Sequence, residues 1–70
     1  MNEVQKKAIS STIQELYRGS SVDFQSHATK VLEGFVEAHN RGSAIRPVQM
    51  SFLNRTAWDT YNRHLRDMKL

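Results

Sequence analysis

Hydrophobic positions along this chain repeat with the 3.6-residue period of helices, and they do so in three separate stretches. In the first, about residues 3–18, Ala8, Ile9, Thr12, Ile13, Leu16 and Tyr17 fall on one arc, with Lys7, Ser11, Gln14 and Arg18 opposite. Gly19 supplies a stop, and Ser20 or Ser21 can cap a second helix whose first turn holds Asp23, favourable to the helix dipole. That second helix, about residues 22–40, has the widest apolar arc (Phe24, Ala28, Val31, Leu32, Phe35 and Val36) and is expected to be the central one. Gly42 ends it. The stretch from Ser43 to Gln49 around Pro47, the only proline, reads as a connector, with a short extended piece around Ala44 to Val48 as an option.

The third helix, about residues 50–68, starts either near Pro47 or after Ser51 as a cap. Leu53, Ala57, Tyr61, Leu65 and Met68 share its apolar side, Arg55, Asn62 and Arg66 lie opposite, and Trp58 and Lys69 sit between the two arcs. Val48 and Phe52 fall off the arc. They are either loop anchors or exposed contact residues. Period-two alternation is absent over any useful length. The expectation is therefore an all-α chain, a small three-helix bundle or an open three-helix domain, with residues 1–70 forming a single helical domain.

Seventy residues bury too small a fraction of their surface to be comfortably stable without a staple. There are no cysteines, so disulfides, thiolate metal sites and cysteine nucleophiles are excluded. Self-association or a partner is then one way to gain stability. Hydrophobic residues at 39% and charged residues at 24% describe a globular chain. No run approaches the roughly 18 apolar residues of a membrane span, and Lys6 and Lys7 lead into Ala-Ile-Ser-Ser, unlike a signal peptide. A cytoplasmic protein with no membrane association is expected.

The net charge of +3 is unevenly placed: +1 over residues 1–20, −1 over 21–42 and +3 over 43–70. A pI near 9.7 points to polyanions, yet +3 is low for a dedicated nucleic-acid binder, whose affinity comes from many phosphate contacts. In the third helix Arg55, Asp59, Arg63 and Asp67 alternate in sign every four residues, which predicts a ladder of ion pairs along the helix. The connector from Gly42 to Met50 is longer than the turn of a helix-turn-helix motif, and there is no basic N-terminal arm.

Gly34 stands inside the second helix, where glycine costs about 1 kcal/mol relative to alanine. With His27, Val31 and Ala38 it forms a notch that either lets the first or third helix approach closely or takes a partner helix or a second copy. Asp23 and His27 share a face but make a poor zinc site, and no metal is expected. His39 falls within the apolar arc of the second helix, and His64 borders the core side of the third. No serine occupies a nucleophile elbow, there is no glycine-rich phosphate loop, and Glu33 with Glu37 reads as a solvated face, so neither catalysis, a small-molecule substrate nor a cofactor is expected.

Two function classes remain. The first is a non-enzymatic accessory or regulatory protein that docks on a larger protein or dimerises, with Phe52, Arg55, Trp58, Asn62 and Arg66 as contact residues, because aromatic and arginine side chains dominate interface energetics. The alternative is a small DNA- or RNA-binding protein contacting phosphates through the C-terminal helix, with Lys7, Arg18, Arg55, Arg63, Arg66 and Lys69 as contacts.

Overall fold

The computed structural model describes residues 1–68, apart from the Pro47 side chain. It contains α1 (Glu3–Tyr17), α2 (Val22–Asn40), a single 3₁₀ turn (Pro47–Gln49) and α3 (Phe52–Met68). All three helices touch one another, as a small three-helix bundle requires, and no described residue is in a strand.

Local chemistry explains each boundary. Asn2 caps α1, accepting from the Gln5 backbone N–H at 2.8 Å while the Gln5 side chain accepts from the Asn2 N–H at 3.2 Å. This reciprocal box satisfies two amides that the first helical turn leaves open. Ser21 does the same work for α2, its hydroxyl accepting from the Phe24 N–H. At the other end of α2, Gly42 takes φ +87°, a left-handed conformation that side chains resist. The Ser43 N–H then reaches back to the Ala38 carbonyl and the Gly42 N–H to the His39 carbonyl, the paired bonds of a Schellman ending. Gly19 has no such role; α1 ends at Arg18 in ordinary helical conformation. Of the two candidate starts for α3, Ser51 is the cap, with its hydroxyl accepting from the Asn54 N–H and its carbonyl from the Arg55 N–H. The segment Ala44–Val48 is not extended throughout, because Pro47 opens a 3₁₀ turn there.

The core consists of Ala8, Ile9 and Ile13 from α1, Leu32 and Val36 from α2, and Ala57, Trp58 and Tyr61 from α3, with Leu16, Tyr17, Ala28, Phe35, Ile45, Met50 and Leu65 packed against it. Thr12 is fully enclosed and donates its hydroxyl to the Ala8 carbonyl at 2.7 Å, so its burial leaves no polar group unpaired. The expectation that α2 would be central is corrected. The most extensive packing is between α1 and α3, the α1–α2 contact is smaller, and the α2–α3 contact is the smallest. A wide apolar arc need not be a covered one. In α2 only Leu32 and Val36 are buried, while Phe24 at the near end of the arc stays 40% exposed.

The α1–α2 pair is clasped at one end by an amide pair: Gln5 Nε2 donates to Asn40 Oδ1 at 2.9 Å and Asn40 Nδ2 donates to Gln5 Oε1 at 3.1 Å. No helix among the described residues is long and apolar enough to cross a membrane.

Candidate functional site

The residues expected to form a contact edge separate into a buried and an exposed group. Trp58 is only 7% exposed, so its border position on the helical wheel resolves inward. Its indole stacks on Tyr61 and meets the rings of Phe35 and His39 edge-on, at centroid distances of 6.3 and 5.7 Å. Four rings from two helices thus form one aromatic cluster, an arrangement worth more than area burial alone. In a single copy, Trp58 is a core side chain. Asn62 is half-buried and donates to the Trp58 carbonyl at 2.8 Å, tying its amide to its own helix.

Phe52, Arg55 and Arg66 are exposed, and the helical period places them on the same outer side of α3. Phe52 is 81% exposed and Val48, in the preceding turn, 84%. Neither is a loop anchor.

The predicted ion-pair ladder along α3 does not form. Arg63 instead crosses to α1, where one of its terminal nitrogens donates to both carboxylate oxygens of Glu15. His64 Nε2 lies 3.1 Å from Glu15 Oε1, so a single carboxylate gathers two neighbours from α3. An interhelical partner has displaced the intrahelical ones because the α1–α3 packing brings Glu15 beside residues 63 and 64. The Arg63 hydrogen bond, helped by the charges of Arg63 and His64, holds the Glu15 carboxyl below its ordinary value of 4.5 against a smaller opposing effect of desolvation. Among the described residues, Arg55 and Arg66 have no carboxylate within ion-pair distance. Of the remaining basic candidates, Lys7 on α1 and Arg18 at its C-terminal cap are exposed, Arg63 is occupied by Glu15, and Lys69 lies outside the described residues.

The notch on α2 is open. A Cβ added at Gly34 would meet no atom within 4 Å, so close approach by α1 or α3 is not the reason for this glycine. His27 is exposed and Val31 and Ala38 are half-buried. Two of these residues, His27 and Val31, also line a groove of about 190 Å3 together with Tyr17, Phe24, Ala28, Ser51, Leu53 and Asn54. Within this lining Tyr17 packs edge-on against Phe24, with ring centroids 5.3 Å apart. Burial raises the Tyr17 hydroxyl above its ordinary value of 10, so the ring stays neutral.

This groove is the feature that sequence reading missed. Leu53 sits on the apolar side of α3 as its spacing requires, but it is 54% exposed because it belongs to the first turn, beyond the buried stretch that begins at Ala57. Phe24 is exposed for the matching reason in the first turn of α2. The available signal was that both side chains lie within three residues of a serine cap. A larger depression between α1 and α2, about 420 Å3, is lined by Lys6, Ser10, Gln14, Gln25, Thr29 and Glu33 above Ile9 and Ile13. It is a trough open to solvent, lined by polar and apolar surface in nearly equal parts. Among the described residues no three or more His, Cys, Asp or Glu side chains converge.

No protein-family model, curated protein or solved structure matches this chain.

Proposed function

We propose that this chain is a non-enzymatic helical accessory or regulatory protein that acts by docking, on a larger protein or on another copy of itself, through the outer face of α3. One observation carries the reading. Leu53, 54% exposed, lines a groove together with Tyr17, Phe24 and Val31, and Phe52, next to it in the chain, is 81% exposed. Consecutive large apolar side chains left in water beside an apolar concavity are what an interface covers. Arg55 and Arg66 extend the face along α3 with charges that no described carboxylate neutralises. The absence of cysteine and of a membrane-spanning helix among the described residues supports a cytoplasmic setting.

Affinity capture from the native cell, with nucleic acid digested in a parallel sample, tests the proposal. Wild type should retain a defined protein that Phe52→Ser and Arg66→Ala each lose at unchanged helical content. Capture indifferent to both substitutions would remove the face from consideration.

A second reading, a small DNA- or RNA-binding protein, draws support from the freed arginines. With no ladder formed, Arg55 joins Arg66 in being available to phosphates, and Lys7 on α1 and Arg18 at its C-terminal cap add exposed charge. Such binding should fall steeply with salt, the logarithm of the binding constant dropping about 0.9 per phosphate contact against that of salt concentration on duplex DNA. Titrations on random duplex and single-stranded DNA at two salt concentrations decide it. Weak binding with a flat slope leaves the protein-docking reading alone.

A further inference from the structure

We infer that the groove between α2 and the start of α3 is the seat of a second copy of this chain, each protomer placing Phe52 in the groove of the other around a two-fold axis. The inference rests on the docking reading above and names its occupant.

The patch carries both a projection and a recess. Leu53 lines the groove, whereas Phe52, one residue earlier and about 100° around the helix, is 81% exposed and is not among the groove's lining residues. Phe52 therefore does not fill the groove of its own chain, although Ser51 and Leu53 on either side of it in sequence line that groove. A surface that bears a knob and a hole side by side is self-complementary, and the two-fold arrangement closes after two copies because each knob then finds a hole.

Area and charge agree. The exposed parts of Phe24, Phe52 and Leu53 amount to roughly 340 Å2, taking about 200 Å2 for an aromatic side chain and a little less for leucine. A standard interface takes about 800 Å2 from each partner, a little over half of it apolar, so these three residues supply most of the apolar share from one copy. Among the described residues no lysine, arginine, aspartate or glutamate lines the groove, and His27 and Tyr17 are the titratable side chains there. The described groove walls therefore set no like charges face to face, although each copy carries a net charge of +3. A chain of this size also gains from association the stability its own core supplies sparingly.

Sedimentation of the purified protein up to millimolar concentration, combined with a half-labelled NMR sample that records only contacts between copies, tests the proposal. The expected result is a concentration-dependent shift from 8.1 kDa to twice that mass, with contacts from the Phe52 ring to Val31 and Phe24 across the interface. Phe52→Ser, at a position too exposed to disturb the fold, should weaken the dimer at least about tenfold, and Leu53→Asp should do the same from the groove side. A monomer at every concentration, or a dimer that both variants leave intact, overturns the proposal. If the protein is monomeric yet still captures a partner through Phe52, the two-fold dimer fails and the docking reading stands; if capture is also indifferent to Phe52, both fail.

Discussion

The indole of Trp58 lies stacked on the ring of Tyr61, one turn further along α3, with centroids 5.4 Å apart and planes inclined by 25°. Tyr61 is 2% exposed and Trp58 7%, so the pair forms the part of α3 that the other two helices enclose. Phe35 and His39 of α2 close on the same indole, which makes Trp58 the main aromatic link across the smallest of the three helix contacts.

Truncating that link should be costly. Trp58→Ala removes a buried aromatic side chain and leaves a cavity, which typically costs about 3–5 kcal/mol, a large part of the stability of a domain this size. Chemical denaturation should show the variant largely unfolded. Phe52→Ser, by contrast, should leave the midpoint within about 0.5 kcal/mol of wild type at a concentration where the protein is monomeric. Equal losses from the two would place Phe52 in the core.

The Glu15 carboxylate gives the bundle a defined acid sensitivity. Its folded value lies below the ordinary 4.5, chiefly through the Arg63 hydrogen bond, so the folded state favours the charged form. That contribution is fully present above the unfolded-state value and is lost as pH falls through the lower folded value. In thermal melts, wild type should exceed Glu15→Gln in melting temperature at pH 6, and the gap should narrow below pH 4.5. A gap that widens on acidification would contradict the interhelical pairing.

Gly34→Ala should stabilise the protein. The site is mid-helix and a Cβ there meets nothing within 4 Å, so the substitution recovers roughly 1 kcal/mol of helix propensity without a clash. The melting temperature should rise by several degrees. A fall would mean that another body packs against this position in solution.

Gly42→Ala acts in the opposite direction although its surroundings are equally open. Its φ of +87° is a conformation that an alanine adopts at a cost of about 1–2 kcal/mol. Denaturant midpoints for the two glycine variants should therefore shift in opposite senses, and a neutral Gly42→Ala would argue against the Schellman ending of α2.

Much of the fold was legible from residue order because helices are local objects. Periodicity located α1, α2 and α3 to within two residues at each end, since apolar spacing, serine caps and a terminal glycine act over a single turn. The buried arc of α1 was read in full for the same reason: Ala8, Ile9, Thr12 and Ile13 are all enclosed. The capping box of Asn2 and Gln5 was visible in the spacing and went unread.

What pattern along a chain cannot carry is the extent to which one helix covers another. Position on α3 gave Leu53 an apolar direction and left Trp58 at the border of the arc, and only the packing of α2 draws Trp58 under Phe35 and His39 while leaving Leu53 half in water. The same holds for charge. Spacing of four residues offered Arg63 two carboxylates on its own helix, and it took Glu15, distant in sequence, because the α1–α3 packing brings that carboxylate within reach. Sequence alone therefore determined the helices, their caps and their apolar sides. Tertiary structure decided which of those sides are closed, which arginines are bound, and that an uncovered groove remains between α2 and α3, since burial depends on the position of all three helices at once.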